Sequence, residues 1–162
     1  MKLNSIKLSG LDVLPLIEGG KGIGVSNGES SGAWAAAGGV GTFSGVNADY
    51  VDAQGDMVEQ VYHGKTRGDR HQELINYAIT GGIHQAKVAR EISGGKFPVH
   101  VNILWEMGGA EKILHGILDG AKGLINGVTC GAGMPYRVAE IATKYKVFYY
   151  PIVSSGRAFR AL

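Results

Sequence analysis

Much that would assign this chain to a class quickly is missing from its 162 residues. Cysteine occurs once, at Cys130, so neither a disulfide framework nor a cysteine-based zinc site can form within the chain. Apolar runs are short and broken, well below the ~18–20 residues that span a bilayer, so no membrane partner is expected. The formal charge is only +2 and no basic run exists, which removes the usual signal for nucleic acid. Met1-Lys2-Leu3-Asn4 leads into a mixed segment without the apolar core of a signal peptide. A cytoplasmic protein is the expectation. Its length suits one domain, residues 1–162, with a sizeable core.

Glycine is what the chain has in excess, with 27 residues. Hydrophobic residues make up 44 %, too many for disorder. Glycines gathered at strand ends predict an α/β protein with many tight βα turns. The first such place is Val13 to Ser26, where the apolar run Val13–Ile17 breaks into Gly19-Gly20-Lys21-Gly22-Ile23-Gly24. Glycine there lets a ligand approach main-chain amides that a Cβ would shield. Two phosphate signatures fail at this point. A P-loop needs Ser or Thr after Gly-Lys, and Lys21 is followed by Gly22. The dinucleotide pattern G-x-G-x-x-G fails both from Gly22, Gly24 and Asn27 and from Gly39, Gly41 and Ser44.

The chain then reads as repeated βα units. Strands are predicted over Leu14–Glu18, Val40–Ser44, Val99–Leu104, Leu124–Thr129 and Val147–Val153. Helices are predicted over Ser30–Ala37 with Ser30 or Ser31 as cap, over His71–Ile92 with an interruption at Gly81-Gly82, over Ala110–Ala121, and from Pro135 to about Tyr145. A last helix starts at Arg157. Residues 47–70 form a polar loop or insertion with a short helix near Asp56–Tyr62. His63 and His71 lie in or beside it without a carboxylate at ligand spacing, so no metal is expected. Every strand ends in glycine or a small polar residue: Gly19–Gly22, Ser44-Gly45, Asn102, Cys130–Gly133 and Ser154-Ser155. That regularity is the (β/α)8 TIM-barrel pattern, with about five βα units present here, and a doubly wound open sheet is the rival. His100 and Asn102 share one strand face, with Asn102 near the C-terminal end where ligands bind.

Four stretches carry a family likeness. Leu16-Ile17-Glu18-Gly19-Gly20-Lys21-Gly22 resembles the P-I-x-Q-G-G-M-G opening of the nitronate monooxygenases, once called 2-nitropropane dioxygenases. Trp34 to Thr42 resembles their A-x-A-N-A-G-G-L-G-T, Phe97 to Asn102 their P-F-G-V-N, and Val128 to Pro135 their G-x-G-x-P ending. The resemblance implies an FMN-binding TIM barrel that oxidises alkyl nitronates with O2, its flavin held at Gly19, Gly20, Lys21, Gly22 and Asn102. Glu18 and Lys21 depart from the family's Gln and Met, and the lysine often found on the fifth strand is absent. The family's catalytic histidine and phosphate loops follow later strands, so the catalytic residues are expected beyond residue 162. This chain is then an N-terminal portion, associating with a C-terminal part or as a homo-oligomer.

Two other functions stay open. The same half-barrel pattern occurs in FMN-dependent enoyl reductases of fatty acid and polyunsaturated fatty acid synthesis, and a non-catalytic fragment acting only in assembly is the third reading. Among side chains, Cys130 reads as a small core residue, Ser154-Ser155 as a helix cap, and Glu18 as the ion-pair partner of Lys21 or a group that polarises a ligand.

Overall fold

The computed structural model describes residues 3–162. Its elements, in order, are β1 (Ile6–Leu8), β2 (Leu11–Val13), α1 (Gly28–Ala36), β3 (Gly41–Ser44), α2 (Arg67–Ile92), β4 (Val99–Leu104), α3 (Ala110–Gly120), β5 (Gly127–Gly131), α4 (Val138–Tyr145), β6 (Phe148–Pro151) and α5 (Gly156–Ala161). Strands β3-β4-β5-β6 form one parallel sheet in sequential order. Alternation along these strands sends Phe43, Val99, Val101, Ile103, Val128 and Cys130 to one face. There they join a single core with Ala35 of α1, Ile75 and Ala86 of α2, Ile113, Leu114 and Ile117 of α3, and Val138 and Ile141 of α4. Helices α1–α4 therefore cover the same face, whereas a doubly wound sheet is covered on both. Among the described residues no helix is long and apolar enough to cross a membrane.

Several expectations need correction. Leu14–Glu18 is not a full strand. It reaches the sheet only through the parallel bridge Ile17↔Val40, with Glu18 N–H donating to Val40 O and Val40 N–H to Leu16 O. Pro15 lacks a donor, which helps keep this ladder short. Before it stands an antiparallel hairpin, β1-β2, that was not expected; Ser9-Gly10 at its tip adopt positive φ (49° and 78°). Helix α1 starts at Gly28, and Asn27, not Ser30 or Ser31, is its cap, in a reciprocal capping box with Ser30. No helix forms at Asp56–Tyr62, where the antiparallel bridge Val51↔Met57 closes a turn. Helix α2 begins earlier than expected because Thr66 and Asp69 make a second capping box. Pro135 precedes α4 without belonging to it, and α4 starts at Val138.

Helix α2 is also unbroken through Gly81-Gly82. These glycines do not interrupt the helix; they make room. A Cβ on Gly81 would overlap the Ala48 carbonyl, and one on Gly82 would overlap the Ile117 side chain. The same device recurs where Gly28 and Gly32 of α1 meet Gln85, Val88 and Ile92 of α2, and where Gly116 and Gly120 of α3 receive Ile79 and Ile83. Much of the glycine surplus thus sits in helix–helix contacts and not only at strand ends.

The opposite face of the sheet is polar. Register aligns Thr42 with His100 and Gly127 in one row, and Ser44 with Asn102, Thr129 and Tyr150 in the next. The β1-β2 hairpin tip covers the first row. Ser9 Oγ lies 2.7 Å from His100 Nε2, and Ser9 N–H donates to the Tyr150 hydroxyl at 2.9 Å. His100 stacks on Tyr150 with ring centroids 5.0 Å apart. Burial pushes the His100 imidazole down to about 4 from its ordinary 6.5.

Two predictions follow from this packing. Gly81→Ala gains helix propensity but meets backbone, so it destabilises by about 3 kcal/mol. Gly68→Ala in the first turn of the same helix has only Thr66 Oγ1 nearby, at 3.7 Å, and stabilises by roughly 0.5–1 kcal/mol. Urea midpoints of the two variants check the contrast; a neutral Gly81→Ala would remove the close approach. For His100 the unfolded chain takes up its proton near 6.5 and the folded one only near 4. Stability is therefore full above 6.5 and falls as pH drops from 6.5 toward 4, by ~3 kcal/mol in all. A pH series of unfolding curves on wild type and His100→Gln measures this as the difference between them, and parallel curves would refute it.

Candidate functional site

The candidate site lies where the strands of the parallel sheet end. Its floor is the second polar row, and its first wall is the glycine loop after Glu18. Glu18 anchors that wall. Although a carboxylate, it is buried, and it accepts from Ser30 Oγ at 2.8 Å and from Thr42 N–H at 2.9 Å. Hydrogen bonds to a charged acceptor contribute about 1.5–3 kcal/mol each, which offsets its desolvation and joins the first-strand segment to both α1 and β3. The expected pairing with Lys21 does not form, because Lys21 is exposed and Glu18 is held by neutral donors.

Ser26 closes the loop. Its hydroxyl donates to Gly19 O at 3.2 Å and accepts from Lys21 N–H at 3.0 Å, while its own N–H donates to Lys21 O at 3.2 Å. Its carbonyl accepts from Ser44 N–H at 2.8 Å, which lays the loop on the C-terminal end of β3. Ser26 is 2 % exposed. The sequence signal for it is a serine just beyond a glycine run, before a helix cap.

The expected site residues come together in part. A Cβ on Gly20 would overlap Cβ of Asn102, so Gly20 lies directly against the asparagine although 82 positions separate them in the chain. Asn102 is 2 % exposed, and its Oδ1 accepts from Thr129 Oγ1 at 2.9 Å. That bond turns the amide nitrogen away from Thr129, and among the described residues the bond to Thr129 is the one side-chain hydrogen bond Asn102 makes. The amides of Gly19, Gly20 and Gly22 likewise have none among the described residues. Space around Gly19 is open, with no atom within 4 Å of where its Cβ would be. Lys21 differs from its neighbours: its amide is taken by Ser26, so only its side chain is available to a ligand. The arrangement offers a row of N–H donors beside one carboxamide, suited to a flat group with carbonyl or ring-nitrogen acceptors.

Other candidates fall outside this wall. Cys130 points to the helix-side core, fully buried, and burial pushes its thiol up to about 12, so no thiolate forms at neutral pH. Ser155 caps α5, accepting from Ala158 N–H at 3.1 Å. His63 is exposed on the 47–70 segment, where its N–H donates to Glu73. An open groove of about 950 Å³ lies elsewhere, between the starts of α2 and α3, lined by His71, Trp105, Met107 and His115. No family model matches the chain, and no curated protein matches it significantly.

Replacing Gly20 by Ala forces Asn102 or the loop to move. Gly20→Ala is expected to destabilise by about 2 kcal/mol or more, whereas Gly19→Ala, with open space, stays within ~0.5 kcal/mol of wild type. Denaturation midpoints test this, and equal values for the two variants would separate Gly20 from Asn102.

Proposed function

We propose that the chain is the N-terminal portion of an FMN-dependent oxidoreductase of the nitronate monooxygenase kind, built as a (β/α)8 barrel of which these units are the first part. The observation that carries the reading is the contact of Gly20 with Asn102 beneath a row of unpaired glycine amides. Sequential parallel strands, helices on one face only and a polar opposite face support the barrel. Leu16-Ile17, on one side of the sheet, then stand where the last barrel strand would close. Phe148, Ile152 and Phe159 on the other stand where the next unit would begin. All five are exposed, Phe159 at 73 %, which favours association with further barrel units or with a second copy over a solitary half.

The residues present fit one part of the cofactor. Amides of Gly19, Gly20 and Gly22 and the Asn102 carboxamide would donate to the acceptor edge of the isoalloxazine ring, and the open space at Gly19 admits a flat group. A bound flavin supplies the electron acceptor for a nitronate carbanion. This chain's share is to present donors in a fixed plane, with Glu18 and Ser26 holding the loop so that little reorganisation accompanies binding. The Lys21 ammonium, unpaired among the described residues, adds positive charge at the rim. The reading carries with it a small-molecule substrate and a cytoplasmic location.

The test is to express the chain together with the full reading frame that contains it and record absorbance under anaerobic conditions, with and without an alkyl nitronate. A flavin spectrum bleached by the nitronate is the expected result. Flavin that bleaches only with NAD(P)H and is reoxidised by an enoyl thioester would instead assign the enoyl reductase chemistry. A colourless full-length protein that does not take up added FMN would end both enzyme readings.

A further inference from the structure

Away from the rim, at the covered end of the sheet, Ser9, Tyr150 and His100 share one set of hydrogen bonds. The Tyr150 oxygen accepts from Ser9 N–H at 2.9 Å, so its own hydrogen is free to donate to Ser9 Oγ, 3.0 Å away. If Ser9 Oγ accepts there, its hydrogen goes to His100 Nε2 at 2.7 Å; the reverse set, Nε2–H to Ser9 Oγ and Ser9 Oγ–H to Tyr150, fits the same distances. The first set makes Nε2 the acceptor nitrogen of a neutral imidazole and leaves the ring hydrogen on Nδ1. Among the described residues, Nδ1 is buried and has no partner. Its neighbour in the same row, across the β3-β4 ladder, is Thr42, whose Oγ1 is also buried and also without a partner. Thr42 is fully buried and His100 is 3 % exposed, so bulk solvent satisfies neither.

Two unpaired polar side chains side by side on one buried face are a rare coincidence unless something joins them, because each alone would cost as much as a lost hydrogen bond. We propose that this row is a built binding site for one ordered water, which accepts from His100 Nδ1–H and donates to Thr42 Oγ1. A single water with two or more polar partners is the usual occupant of such a place. The chain Tyr150–Ser9–His100–water–Thr42 then links the hairpin tip, β6, β4 and β3 through one directed set of hydrogen bonds. The water is a structural ligand of the latch that holds β1-β2 on the sheet. Neutral His100 suits this arrangement, since a second ring hydrogen on Nε2 would oppose the one from Ser9. The inference does not depend on flavin.

Thr42→Val separates the possibilities because it removes only the hydroxyl. With the bridging water, Thr42→Val unfolds at a lower urea concentration than wild type and Thr42→Ser does not, and a crystal structure of the wild-type protein shows density within hydrogen-bonding distance of both atoms. Nitrogen-15 spectra of the wild type show His100 as the Nδ1–H tautomer. With a dry pair, Thr42→Val is as stable as wild type or more so, since it deletes an unsatisfied hydroxyl, and either that result or the absence of density overturns the proposal. Should Thr42→Val fail to fold, the wild-type density and tautomer decide.

Discussion

The close approach of helices on one side of the sheet is the constraint from which the rest follows. Helices α1, α2 and α3 lie against one another because glycines at Gly28, Gly32, Gly82, Gly116 and Gly120 leave room for the neighbour's side chain or backbone. Gln85, Val88 and Ile92 meet the first two, and Ile117, Ile79 and Ile83 fill the notches at the other three, so the helices interdigitate. Each glycine costs up to about 1 kcal/mol in helix propensity, and the contacts it admits must more than offset that. With α1–α4 committed to one face, most apolar strand residues turn that way, Leu104 and Phe148 excepted. The other face is left for groups that need hydrogen bonds.

That second face is stable only because its polar atoms are held by specific partners. At one end the hairpin supplies them through Ser9 and, at the other, Ser26 and Glu18 fasten the glycine loop. Glu18 shows how tightly this is built. A buried carboxylate held by two neutral donors is tolerable only while both remain in place. The rim is accordingly set by the same bonds that hold the first-strand segment in the fold, and binding geometry and stability share residues.

The alternation of Val99, Val101 and Ile103 with His100 and Asn102 made β4 legible in the sequence, and the structure adopts it with the expected bounds. The core seam of α3 was equally plain. Elements whose cause is distant were not. Leu14–Glu18 has strand composition, but Pro15 and a short contact with Val40 reduce it to a bridge. Gly81-Gly82 looks like a break until Ala48 and Ile117 are seen against it. The segment near Asp56–Tyr62 has helical composition, yet the turn is closed by Asp52, whose carboxylate accepts from Gln54 and Asp56 N–H. The hairpin could have been read from Ser9-Gly10 between alternating residues, a turn signal easily lost in a glycine-rich chain.

Lys21 is the charged residue of the glycine loop, yet its amide is taken by Ser26 and its side chain is exposed. Three flanking amides and Asn102 are fixed, by contrast, through Ser26, Thr129 and the contact at Gly20. Fixed neutral dipoles discriminate the shape and acceptor pattern of a ligand, because they cannot follow a misplaced acceptor. A flexible cation acts mainly through charge and is screened by salt. On the proposed reading, recognition at this rim would belong to the backbone, and Lys21 would tune a bound group's charge without deciding which group binds.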